Sequence, residues 1–300
     1  MEQENEAFVI VGSQYREKAL PTEKNLFFQS FKEVPFISAT VLGCIILGCI
    51  FAEQVMNHDP AAFYLQHLNQ PPNAEFYFGT DALGRDIFSI IWYGGRVSLI
   101  IGFLGTCILT VIGVLYGCVS GMGPKWLDEI MMRGAEILSS VPSLLVVLLL
   151  LSLGGSPTVF SIAIVMGLTG WVNLARLVRS EVRQIQTSEY ILAARLIGVP
   201  FPRIVYKHLL PNFISTIMFM VVANISSCIM LESTLSFLGL GLPVDVISWG
   251  SMLSLANKAL LTNAWWVIVF PGEFIVLTLL CITNIGHYYR AENNKKNSNL

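Results

Sequence analysis

Four carboxylates fall in or beside the long apolar runs of this chain: Glu53, Glu136, Glu232 and Glu273. A carboxylate in such surroundings is costly to keep charged. It either lies on a path for polar solutes or ties neighbouring segments together by hydrogen bonds. Glu53 and Glu232 sit near one set of run ends and Glu136 near the other. Glu273 is the deepest, two residues after Pro271, where it can accept from backbone donors freed by a kink. Other chemistry is sparse. Cys44, Cys49, Cys107, Cys118, Cys228 and Cys281 all lie in apolar runs, which suits small apolar packing better than a disulfide or metal framework. The four histidines are scattered without ligand spacing, and no metal set or nucleophile–base constellation appears. No glycine is followed by lysine, so there is no Walker A loop to hold ATP.

The elements that must position these residues are membrane helices. Apolar residues make up 54% of the 300 and charged ones 13%. Soluble domains carry about 25% charged residues, so the composition points to a polytopic all-α membrane protein. The net charge of −2 gives no ground for nucleic-acid binding. One polar stretch, 180–212, interrupts the apolar runs. Arg176, Arg179, Arg183, Arg195, Arg203 and Lys207 bring six of the eighteen basic residues to this region. The spacing predicts a helix over 181–197, an end at Gly198, and no simple continuation past Pro200 and Pro202. A second short helix over 203–210 would stop before Pro211.

Ala193-Ala194, three residues, Gly198, nine residues and then His208-Leu209-Leu210-Pro211 resemble the cytoplasmic coupling loop of bacterial ABC importer permeases. Leu192 stands where that family has Glu, and His208 where it has Ile. A second segment, Phe78-Gly79-Thr80-Asp81-Ala82-Leu83-Gly84-Arg85-Asp86, resembles a hallmark of the second permease subunit of dipeptide, oligopeptide and nickel importers. Gly79 and Gly84 permit tight turns there, and Asp81, Arg85 and Asp86 are placed to lock the turn by ion pairs.

In chain order, residues 1–34 read as a cytoplasmic tail and 35–56 as the first span. Residues 57–95 read as an extracytoplasmic loop, 96–286 as a transmembrane core of five helices that includes the loop 180–212, and 287–300 as a cytoplasmic tail. Within the core, 97–123 is a span on which Ser98, Gly102, Thr106 and Thr110, then Gly113, Gly117 and Gly121, recur every four residues, a seam for close helix packing. Residues 137–175 are uncharged, and the Gly-Gly-Ser-Pro at 154–157 cuts them into two spans. Residues 212–231 and 264–285 are the fifth and sixth spans. The glycine-rich run 232–263 reads as a partly inserted external loop. With both termini inside, fifteen basic residues lie on the inner side and three on the outer, which fits six spans oriented N-in and C-in.

The resemblance implies a type I ABC importer permease fold, with a pseudo-twofold pore made with a second, similar permease subunit. It also implies two ATP-binding subunits, which carry the ATP and magnesium, and an extracytoplasmic solute-binding protein. The coupling-loop residues it singles out are Glu189, Tyr190, Ala193, Ala194, Arg195, Gly198, Leu210 and Pro211; the arginines nearby are placed to pair with acids on the ATPase or to hold the loop inside. Candidate pore or gate residues are Glu232, Gly239, Gly241 and Glu273. This chain is then a transport subunit and not itself an enzyme, with no cofactor of its own. Peptide is the expected cargo and nickel or a metal chelate the alternative. An ion-coupled secondary transporter would instead show paired repeats and carboxylates at interrupted helices, and only Glu273 answers to that.

Overall fold

The computed structural model describes residues 35–186, 196, 199, 210–243, 245–255, 259 and 262–298. These belong to one unit, Pro35–Leu300. The tail 1–34 and most of 187–209 lie outside the described residues.

The first apolar run forms α1 (Pro35–Ile50), followed after Phe51 by the single turn α2 (Ala52–Val55). The last carbonyls of α1 are capped from a distance. Arg96 donates through Nε to the Cys49 carbonyl at 2.6 Å and through a terminal nitrogen to the Ile50 carbonyl at 2.8 Å, and it pairs with Glu53 at 3.1 Å. The loop that follows is a folded cap. Gly79 and Gly84 have φ of 75° and 76°, and a Cβ on Gly84 would lie 2.3 Å from the Tyr64 carbonyl oxygen, so only glycine fits. Asp81 and Arg85 form a buried ion pair at 2.8 Å. Asp86 does something else: its carboxylate accepts from the Ser89 amide at 2.9 Å and caps the next helix.

That helix, α3 (Ile87–Met122), therefore begins inside what the sequence reads as loop. At 36 residues it is about 54 Å long and is the central element, packed chiefly against the helices Val159–Gly170, Val172–Gln186 and Leu210–Phe237. The 39-residue uncharged run is not two simple spans. It is entered by α4 (Lys125–Ser140), whose charged residues make it amphipathic, and α5 (Ser143–Leu153) leaves at 86° to it. Pro142 causes the bend. It has no N–H for the helical ladder, and it drives Val141 into extended backbone, φ −93° and ψ 133°. Thr158 opens α6 (Val159–Gly170) with a capping box to Ser161, and a 44° break at Trp171 separates it from α7 (Val172–Gln186).

α8 (Leu210–Phe237) runs six residues past the expected end of the fifth span. The glycine-rich run begins only where α8 stops, and it contains the short helix α9 (Trp249–Ser254). α10 (Trp266–Ser298) tolerates Pro271 and continues helically through most of the expected polar tail. The external cap docks on its start: the Trp266 indole donates to the Thr80 carbonyl at 3.0 Å, and Phe78 stacks on Phe270 with centroids 4.2 Å apart.

By length and composition α3, α8 and α10 can each cross a membrane, and the pairs α4–α5 and α6–α7 qualify if each bent pair is one crossing. α1 is a shorter apolar helix. The small-residue stripe of α3 is a seam, as its period suggests, but it serves two neighbours. Gly102 faces Ile229 of α8, while Gly113, Gly117 and Gly121 face Leu174, Val178 and Val182 of α7.

Candidate functional site

Of the coupling-loop residues, Glu189, Tyr190, Ala193, Ala194, Arg195 and Gly198 lie outside the described residues. Leu210 and Pro211 form the first turn of α8, where the missing proline N–H costs no helical hydrogen bond. What the structure describes is the root from which the loop leaves. On α7, Arg179 and Arg183 both converge on Asp128 of α4, Arg183 at 2.5 Å and Arg179 through two of its nitrogens. Ser120 of α3 donates to the same carboxylate at 2.6 Å. Gln186, the last residue of α7, donates to the Gly121 carbonyl at 2.9 Å. Asp128 is buried, so two arginines and a hydroxyl hold a carboxylate largely out of water. Of the arginines near the loop, Arg179 and Arg183 are thus engaged within the chain. The signal for this is one acid in the first turn of α4, facing arginines four residues apart on a neighbouring helix.

Glu232 lies at the opposite end of the bundle and is fully buried, with no cation within ion-pair reach among the described residues. Serines surround it. Ser236 and Ser248 donate to Oε1 at 3.0 and 2.8 Å, Ser98 donates to Oε2 at 3.0 Å, and Ser233 lies 3.5 Å from Oε2. Two of these hydroxyls also hold backbone. Ser98 accepts from the Trp249 amide and Ser248 from the Ser251 amide, while each O–H remains available to the carboxylate. Glu232 thus ties α3, α8 and α9 at one point.

The two glycines grouped with it have backbone tasks. Gly239, φ 74°, ends α8: its N–H reaches the Ser236 carbonyl at 3.0 Å and the Leu240 N–H reaches the Leu235 carbonyl at 2.9 Å, the two bonds of a Schellman cap. A Cβ on Gly241 would lie 2.7 Å from the Ser236 backbone. Glu273 differs from the other three carboxylates. It is exposed on α10 and has no hydrogen bond or ion pair among the described residues, whereas Glu53 pairs with Arg96 and Glu136 with Arg133.

Between the α4–α5 bend, the α6–α7 break and α8 lies an open groove of about 730 Å³. No period or motif announces it, because the Pro142 bend opens it. Ser139, Asn173 and Arg176 line it toward the coupling-loop side; Asn224, Ser227 and Thr234 follow along α8. The ten helical steps of α8 from Asn224 to Thr234 cover about 15 Å of its length. Glu232, Gly239, Gly241 and Glu273 are not among its lining residues.

Residues 113–291 match the model of the family described as binding-protein-dependent transport system inner membrane component. The chain is 39% identical to the oligopeptide transport system permease protein OppC of Bacillus subtilis (strain 168), over 87% of this chain and 85% of that protein. It is 41% identical to the dipeptide transport system permease protein DppC of the same organism, over 81% and 78%. It is 39% identical to OppC of Haemophilus influenzae, over 73% and 70%. The family match begins within α3 and runs through most of α10, and so takes in the arginine-clamped root, Glu232 with its serines except Ser98, and the groove lining except Leu109. The chain belongs to the inner-membrane components of binding-protein-dependent transport systems, the multi-pass permease subunits of bacterial ABC importers.

Proposed function

We propose that this chain forms half of the translocation pore of an ATP-driven importer of di- or oligopeptides. A second, similar permease subunit completes the pore, two ATP-binding subunits supply the work, and a solute-binding protein delivers cargo from outside. The observation that carries this reading is the groove. It is a polar-and-apolar channel open on one side, bounded by the segments that border the coupling loop. Its volume is within the usual range for sites that take small organic ligands, about 300–1,000 Å³. A half-channel of this kind becomes a closed path when a second permease covers it. The peptide cargo is favoured by the relatives' own names.

Six crossings, α1, α3, α4–α5, α6–α7, α8 and α10, place both termini and the coupling loop in the cytoplasm and the cap 57–86 outside. In this arrangement the ATPase holds the loop 187–209 through Ala193 and Ala194. Closure of the ATPases on ATP moves the loop, and α7 and α8 are the described elements joined to it. The Asp128 clamp keeps α7, α4 and the end of α3 together as one body, so displacement of the loop reaches the Pro142 bend and the groove beside it. ATP and magnesium act in the partner subunits. This chain contributes shape and polarity and makes no bond.

The test is Ala194→Asp in the complete complex. A charge and extra volume at a docked helix face disfavours the contact by several kcal/mol, while the spans, which do not depend on it, still insert. The expected outcome is normal membrane abundance, weak or absent copurification of the ATPase subunits, and no peptide uptake; Gln184→Asp, well before the motif, leaves all three unchanged. Normal uptake by Ala194→Asp with ATPase bound would refute the coupling role.

A further inference from the structure

The arginines of α7 divide into two kinds. Arg179 and Arg183 are consumed by Asp128. Arg176, one turn nearer the groove, is exposed and lines it, and its one contact among the described residues is Ser139 Oγ at 3.5 Å. It has no carboxylate partner among them. Among the described residues that line the groove, Arg176 is also the single charged one. The rest of that lining is neutral, and the Asn224 amide nitrogen makes no hydrogen bond among the described residues. The described lining therefore offers donors and one fixed positive charge, and no acid with which to hold an ammonium group.

Such a lining suits a ligand with one anionic end and a neutral, mixed-polarity body. On the peptide-import reading above, that end is the α-carboxylate. We infer that Arg176 receives the C-terminal carboxylate of a peptide in transit, at the end of the groove nearest the coupling loop. A planar guanidinium matches a carboxylate with two parallel N–H···O bonds, a geometry that lysine lacks. The exposure of Arg176 matters as much as its charge. An exposed ion pair is weak, which lets cargo leave, as conduction through a site requires. The simple placement of a positive charge on the cytoplasmic side accounts for Arg176 being basic. It predicts no dependence of transport on the charge of the cargo, and that difference is measurable.

The complete complex, with both permeases, both ATPases and the solute-binding protein, is reconstituted in liposomes. Uptake of trialanine and of its C-terminal amide is then measured, each at a concentration that saturates the solute-binding protein. Wild type is expected to move the free acid about tenfold faster than the amide, roughly 1.4 kcal/mol of selective interaction. Arg176→Gln brings the two rates together by slowing the acid, with ATPase copurification and membrane abundance unchanged; Arg176→Lys keeps part of the preference. Three results would overturn the assignment: a preference in Arg176→Gln equal to that of wild type, equal slowing of both peptides, or loss of ATPase or permease partner from the variant. A wild-type complex that moves neither peptide would overturn the peptide reading itself, and this inference with it; that failure shows before any variant is made.

Discussion

Glu232 is a carboxylate with four serines and, among the described residues, no cation. Ser98 and Ser248 each accept from a backbone N–H and donate to the carboxylate, so each hydroxyl joins two elements through one oxygen. Glutamine at 232 keeps one acceptor oxygen and replaces the other by an NH₂, so hydroxyls that donate to Glu232 must turn about or lose their acceptor. Both Glu232→Gln and Glu232→Ala are therefore expected to weaken the joint between α3, α8 and α9, by about 1–3 kcal/mol for buried groups left without partners. The check is the melting temperature and membrane abundance of the purified subunit, which should fall for both variants. A variant with wild-type stability and no uptake would instead make Glu232 a gate. Reading the residue from sequence stopped at its cost in an apolar run. Its partners Ser98 and Ser248 are 134 and 16 residues away, and no local period announces a contact of that length.

At the scale of elements, the α3–α7 contact was the most legible. Small residues every four positions mean close approach of backbones, and the Gly113, Gly117 and Gly121 stripe meets α7 as that pattern requires. A Cβ on Gly117 would lie 2.6 Å from the Ala175 carbonyl and 2.7 Å from the Val178 Cβ, so the two helices must part to accept it. Gly117→Val is expected to cost about 1–3 kcal/mol, the usual penalty of overpacking, read as a lower melting temperature. Gly43→Ala, where nothing lies within 4 Å of the new Cβ, should leave the temperature unchanged. The ends of elements were less legible. Asp86 was read as part of an ion-paired turn and is the cap of α3; Gly239 was read as loop and is the cap of α8. A cap is set by which backbone group the side chain or φ angle satisfies, and residue type alone leaves that choice open.

For the whole molecule, hydropathy and the basic-residue bias suggest the topology, and they say nothing of where a helix bends. Length alone divides 137–175 at 154–157, and the structure keeps that division between α5 and α6. Val141-Pro142 adds a turn of 86°, leaves α5 with eleven residues, and opens the groove. The six crossings proposed above, with both termini inside, yield a direct expectation for single cysteines in a cysteine-free background. Gln66→Cys, at an exposed site in the cap, should react with a membrane-impermeant thiol reagent added outside intact cells. Ser188→Cys, in the coupling loop, should react only after the membrane is opened. Labelling of Ser188→Cys in intact cells with protection of Gln66→Cys would invert the arrangement.

The clamp on Asp128 has a mechanical consequence. α7 is a rod of fifteen residues, about 22 Å, gripped near one end and set off at the other by the 44° break at Trp171. The loop 187–209 leaves from the gripped end, and Arg176 sits between the grip and the break. A rod held in this way does not need to travel far. A tilt of about 5° over 22 Å displaces one end by about 2 Å relative to the other, enough to break a hydrogen bond and too little to unpack a seam. The seam against α3 presents glycine to valine and leucine at close range, and with the clamp it holds the two helices in register. On the coupling reading proposed above, a pull on the loop would reach the groove as a small tilt of one body about the Trp171 break, with no sliding of helix over helix.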